Sequence, residues 1–68
     1  MKISKKLRQR RRELDITQAE LADLIGVHRV RISEWERGEM RGIEAKNIVA
    51  LEKALHFLPG ELFKAYYA

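Results

Sequence analysis

Cysteine is absent from this sequence, and histidine occurs only twice, at His28 and His56. The first absence excludes disulfides and thiolate metal sites, and it agrees with a reducing compartment. There is no glycine-rich phosphate loop, and the two histidines are distant in the chain. Glu34 and Glu36 point to different faces of a helix that carries both, so they cannot act as a carboxylate pair. Catalysis has little to build on, and the chain is read as a non-enzyme with no cofactor and no metal. No apolar run approaches the roughly 20 residues that cross a bilayer, and the charged N-terminus lacks the apolar centre of a secretion signal. The expectation is no membrane contact and a cytoplasmic location. Proline occurs once, at Pro59, and no strand alternation, repeat or linker interrupts the chain. What remains is an all-α reading.

The 68 residues are 46% hydrophobic, the composition of a folded globule, and they form a single domain over residues 1–68. At this size folding buries only about 60% of the surface of the unfolded chain, so stability is modest. The net charge of +4 is unevenly placed. Lys2, Lys5, Lys6, Arg8, Arg10, Arg11 and Arg12 stand within the first twelve positions, whereas the rest of the chain has seven basic and ten acidic residues. A concentrated basic stripe favours a polyanion such as nucleic acid. A solvated, highly charged helix face accounts for it equally well.

Apolar residues at Ile3, Leu7 and Leu14 mark one stripe of a first helix, which Ser4 could cap. Thr17-Gln18-Ala19-Glu20 has the form of a capping box, and Ile16 with Leu21 has the spacing of a hydrophobic staple. Leu21, Ala22, Leu24 and Ile25 continue the apolar face of this second helix, which Gly26 ends. A third helix starts almost at once, near His28, and stops at Gly38. Two short helices joined by a glycine-containing turn of about three residues are the signature of a helix-turn-helix. A fourth helix is expected from about Glu44 to Leu55, burying Ala45, Ile48, Val49, Leu51 and Leu55. Pro59, suited to a first turn, opens a fifth with Leu62, Phe63, Tyr66 and Tyr67 on its apolar side.

On a helical wheel, residues 29 to 37 divide into two faces. Ile32 and Trp35 turn inward; Val30, Ser33, Glu34 and Arg37 turn outward, with Arg29 at the edge of the first turn. An outward valine among polar residues makes sense against a thymine methyl group. Arg29 could bind guanine O6 and N7 together, and Glu34 could accept from a cytosine amino group. An ordinary surface ion pair with Arg31 or Arg37 explains Glu34 as well. His28 is either a phosphate or base contact or merely a poor cap. Gln18, in the first turn of helix 2, stands where free amides attract a phosphate. Arg31, Arg37 and Arg41 are the other candidates for backbone contact.

The run Thr17-Gln18-Ala19-Glu20-Leu21-Ala22, then Gly26-Val27, then Ile32-Ser33-Glu34-Trp35-Glu36-Arg37-Gly38 resembles the phage repressor and Cro-type helix-turn-helix family. The likeness extends to Ala54-Leu55 and Glu61-Leu62-Phe63. It implies a compact five-helix bundle of the λ repressor-like kind, with a central helix-turn-helix that binds double-stranded operator DNA as a homodimer. It also implies that Gln18 meets a phosphate and that His28, Arg29, Val30, Ser33 and Glu34 form the base-reading set. By position, Arg11 and Glu36 become a structural ion pair, partly buried because Glu36 leans toward the core. The sequence departs from the family at three places. His28 replaces a small hydroxyl cap, His56 replaces glycine after helix 4, and Leu58 replaces Ser or Asp before the last helix.

The resulting expectation is a transcriptional regulator, a repressor of a palindromic operator, with Leu58, Leu62, Phe63 and Tyr66 as candidate dimer contacts. The competing reading is an antitoxin-like module that uses the same fold to hold a protein partner.

Overall fold

The computed structural model describes residues 2–67, with side chains from Ile3 onward. It contains five helices: α1 (Lys2–Glu13), α2 (Gln18–Ile25), α3 (Arg29–Glu36), α4 (Ala45–Ala54) and α5 (Glu61–Tyr67). Helix α2 packs against α3 and α4, α1 packs against α3 and α5, and α4 packs against α5. One core joins them, with Ile3 and Leu7 of α1, Leu21 of α2, Ile32 and Trp35 of α3, Ile48 and Leu51 of α4, and Leu62 of α5. Each of these residues recurs at a spacing of three or four within its helix, or stands alone on a short one, so every helix contributes a single stripe.

Helices α1 to α4 end in the same way. The residue after the last turn takes positive φ: Asp15 (57°), Gly26 (75°), Gly38 (94°) and His56 (59°). In each case the next amide reaches back five residues to a carbonyl of the final turn. The bonds are Ile16 to Arg11 (3.2 Å), Val27 to Ala22 (3.0 Å), Glu39 to Glu34 (2.9 Å) and Phe57 to Glu52 (2.9 Å). This Schellman geometry satisfies carbonyls that would otherwise be orphaned, and it needs a left-handed residue whatever its side chain. His56 is therefore strained, since a left-handed backbone costs a residue with Cβ about 1 to 2 kcal/mol. Arg10 compensates. Its Nη1 donates to the carbonyls of Leu55 (2.9 Å) and His56 (3.0 Å), and its guanidinium lies 4.4 Å from the centre of the Phe57 ring. A cation there also complements the negative end of the α4 dipole.

Several local expectations are corrected. Ser4 does not cap α1; it is buried inside the helix, and its Oγ donates to Met40 Sδ at 3.8 Å. Leu24 is 64% exposed, because only the side of α2 carrying Leu21 and Ala22 meets the core. Ala45 and Val49 also face outward, and Glu52 takes an inward position on α4 instead. Helix α5 opens at Glu61 rather than Pro59, since Gly60 at φ 87° breaks the helical path between them.

Glu52 is the least expected core residue. Its carboxylate accepts the amides of Gly60 (3.0 Å) and Phe63 (2.9 Å), which ties the start of α5 to the side of α4. Burial alone would raise its pKa. The backbone amides of Phe63, Gly60 and Leu62 outweigh that effect and hold it below the usual glutamate value.

Candidate nucleic-acid interface

The interface is built on the junction of α2 and α3. Thr17 caps α2: its Oγ1 accepts from the Glu20 amide (3.0 Å), and Glu20 Oε1 accepts from the Thr17 amide (2.8 Å). Gly26 then turns the chain, and His28 starts α3 by accepting the Val30 amide on Nδ1 at 3.5 Å. That bond is long beside the ordinary range of about 2.7 to 3.2 Å. The start of α3 is nevertheless not displaced, for the helix begins at Arg29.

Buried Ile32 and Trp35 anchor α3 and fix which side turns outward. Arg29, Val30 and Arg31 are exposed, with Val30 at 46%, and Ser33 and Glu34 are half-buried. Among the described residues no hydrogen bond or ion pair engages the Arg29 side chain. The other polar groups of this face are already paired. Arg31 Nη1 donates to Glu34 Oε1 at 2.7 Å, while Arg37 donates to Ser33 Oγ (2.7 Å) and Glu39 Oε2 (2.8 Å). Arg41 is exposed on the loop after α3, beside the hollow that Arg31, Glu34 and Asn47 also line.

Behind this face Arg11 and Glu36 meet as a fork. Arg11 Nε donates to Glu36 Oε2 (2.6 Å) and Nη2 to Oε1 (3.0 Å), and Nη1 donates to the Ile16 carbonyl (2.9 Å). The hydrogen bond to Glu36 raises the Arg11 pKa against the opposing effect of burial, so the guanidinium stays charged. Gln18 joins the same group, its Nε2 donating to Glu36 Oε1 at 3.1 Å. A primary amide has two N–H donors, so one remains free to face outward.

The structure also brings forward a residue the sequence had left as general surface charge. Arg12 lines a shallow groove together with Gln18, Ala19 and Arg29, at the N-terminus of α2. Its place in the basic run of α1 gave no sign of this, because seven cations within twelve residues do not distinguish one another.

The candidate dimer contacts separate. Leu58 is 73% exposed, Phe63 and Tyr66 are half-buried, and the Tyr66 hydroxyl donates to the Met40 carbonyl at 2.8 Å. Leu62 is 0% exposed, so it belongs to the core of the domain and not to a contact surface. Tyr67, exposed, with its ring tilted 45° to that of Phe63 and the centres 4.7 Å apart, is the aromatic available in its place.

A capped short helix, a left-handed glycine turn and a second helix with a free outer face define a helix-turn-helix domain. The profile described as "Helix-turn-helix" matches residues 7–62, and the chain belongs to that family. It is 42% identical over 62 residues to Repressor protein C2 of Salmonella phage P22, covering 91% of this chain and 28% of that protein. It is 39% identical over 57 residues to the HTH-type transcriptional regulator DicA of Escherichia coli, covering 84% of this chain and 42% of that protein. The match thus spans less than half the length of both relatives. Among solved structures, the P22 c2 repressor bound to a synthetic operator superposes with a TM-score of 0.79 at 42% identity, covering 88% of this chain and 89% of that one. The DNA-binding domain of the same repressor in solution gives 0.79 at 39% identity, covering 97% and 86%. The five-helix, all-α fold read from the sequence is the fold of these domains.

Proposed function

We propose that this chain binds operator DNA in a sequence-specific manner and acts as a transcriptional repressor. The observation that carries the reading is the outer face of α3. There Arg29 is uncommitted and Val30 is exposed, beside a groove that Arg12 and Gln18 line. Arg29 reaches a guanine edge, Val30 meets a thymine methyl, and Ser33 and Glu34 read adjacent pairs, with His28 at the rim. Gln18, Arg31, Arg37 and Arg41 hold the phosphates and set the register of the helix. Arg11 and Glu36 support that face from behind. The operator-bound structure of a relative at 42% identity gives independent support.

The protein acts as a homodimer, with Leu58, Phe63 and Tyr66 at the contact, and two α3 helices read half-sites about 34 Å apart. This function implies a cytoplasmic location and no catalytic step. Among the described residues no helix is long and apolar enough to cross a membrane.

Selection of bound duplexes from a random pool, followed by salt titration, tests the proposal. A short palindrome should be enriched, and affinity should fall steeply as salt rises. Arg29→Ala should relax the preference at one base pair per half-site and cost about 1 to 3 kcal/mol. Sequence-blind binding with no enriched motif overturns the reading.

A further inference from the structure

Two of the side chains assigned to base reading are not free agents. Glu34 is held by Arg31 through Nη1 and Oε1 at 2.7 Å, and Ser33 accepts from Arg37 at 2.7 Å. Both arginines lie on or at the end of α3, three and four residues from their partners, so the same outer face carries each reader with its own cation. In water such an exposed pair contributes little. Against DNA the balance changes. A lone carboxylate brought near two rows of phosphates is repelled and desolvated, and leaving one charge of a pair unpartnered is what costs most at an interface.

Resting on the DNA reading above, we infer that Arg31 is a positioning residue for specificity. It cancels the charge of Glu34 and occupies Oε1, which leaves Oε2 as the single acceptor turned to the bases. The group that satisfies Oε2 is an exocyclic amino group, that of cytosine first, since glutamate carries acceptors only. The remaining N–H groups of Arg31 stay available for a phosphate. Arg37 acts on Ser33 in a similar sense. With one Oγ lone pair taken, the hydroxyl proton is the part left to donate, which suits guanine O6 or N7, or thymine O4. The reading face thus presents an acceptor at residue 34 and a donor at residue 33, each set by a neighbouring arginine.

The experiment compares wild type, Arg31→Ala, Glu34→Gln and the double variant. Each is used to select duplexes from a random pool and is then titrated on the wild-type consensus at several salt concentrations. Arg31→Ala should lower affinity and also blur the preference at the base pair read by Glu34. Glu34→Gln should move that preference from cytosine toward adenine, because an amide can pair with adenine N6 and N7 together. In the Glu34→Gln background, the loss on removing Arg31 should be smaller by about tenfold, within the coupling seen for residues in contact. Arg31→Lys should restore affinity more than preference, since it keeps the charge without the planar fork. Thermal melting of all four variants should stay close to wild type, as Arg31 is exposed and its pair with half-buried Glu34 contributes little in water.

If the two losses add within about twofold, and Arg31→Ala merely lowers the salt slope by about 1 with base preference intact, Arg31 is a phosphate contact only and the inference falls. If wild type itself enriches no sequence, the DNA reading fails first and takes this inference with it.

Discussion

Glu52 offers the sharpest test of how this small domain is held together. Its carboxylate accepts the amides of Gly60 at 3.0 Å and Phe63 at 2.9 Å, and among the described residues no cation shares it. Hydrogen bonds to a charged acceptor contribute about 1.5 to 3 kcal/mol each. Glu52→Gln keeps the shape but turns an NH2 toward one of those amides, so one bond is lost and the cost should be about 2 to 3 kcal/mol. Glu52→Ala removes both bonds and should cost about 3 to 6 kcal/mol. For 68 residues the whole stability is of the order of 3 to 10 kcal/mol, so the alanine variant should be largely unfolded. The assay is urea unfolding followed by far-ultraviolet circular dichroism, repeated from pH 7 to pH 3. Because the native pKa of Glu52 is depressed, its contribution is fully present above the unfolded value, near pH 4.3. It is lost as pH falls through the native pKa. The gap between wild type and Glu52→Gln should therefore stay constant from pH 7 to about pH 5 and close below it. A gap under about 0.5 kcal/mol, or one that persists unchanged at pH 3, refutes the reasoning.

Other predictions follow the same logic. Arg11→Met leaves the Glu36 carboxylate, which is 6% exposed, with only the Gln18 amide and no cation, and should cost about 3 to 5 kcal/mol in urea unfolding. Adding Glu36→Leu should recover most of that loss, and a single-variant cost below 1 kcal/mol would mark the pair as an ordinary surface contact. His56→Gly relieves a left-handed backbone at φ 59°, and after the entropy cost of glycine it should gain up to about 1 kcal/mol. Calorimetry should then read a Tm higher by several degrees; a fall would mean that the His56 side chain is itself a contact. Leu62→Ala should destabilise the monomer by about 2 to 5 kcal/mol at every protein concentration, as a core residue does and a dimer contact does not.

What the sequence disclosed and what it withheld follow from different physics. The capping box at Thr17 and the turn at Gly26 were legible because each is a local rule that names its residues. The ends at Asp15 and His56 use the same left-handed geometry, yet neither residue announces it. The amides of Ile16 and Phe57 make those turns, and amides carry no sequence signature. Leu24 and Val49 were misplaced for another reason. A helix of 8 or 10 residues makes fewer than three turns, so its apolar stripe is defined by two or three positions and its edge is uncertain by one. Glu52 was invisible because its partners are backbone groups eight and eleven residues away. On the outer face of α3, periodicity separated Val30 from Ile32, and the three-residue spacing offered the Arg31–Glu34 pair as one account of Glu34; what it did not foretell was the hold of Arg37 on Ser33.

The three-way contact of Arg11, Gln18 and Glu36 has a mechanical meaning. Gln18 is assigned to a phosphate, Glu36 is the last residue of α3, and Arg11 belongs to α1. On the proposed DNA reading, one buried carboxylate thus fastens the residue assigned to a phosphate and the helix assigned to the bases into a single gauge, whose span is set before any DNA arrives. A gauge of fixed span does not adapt to a groove of the wrong width. The duplex must do the adapting, at an energy that depends on its own stiffness, including at base pairs no side chain touches. Operators should accordingly differ in strength at uncontacted positions, and loosening the gauge should flatten those differences before it erases the contacts themselves.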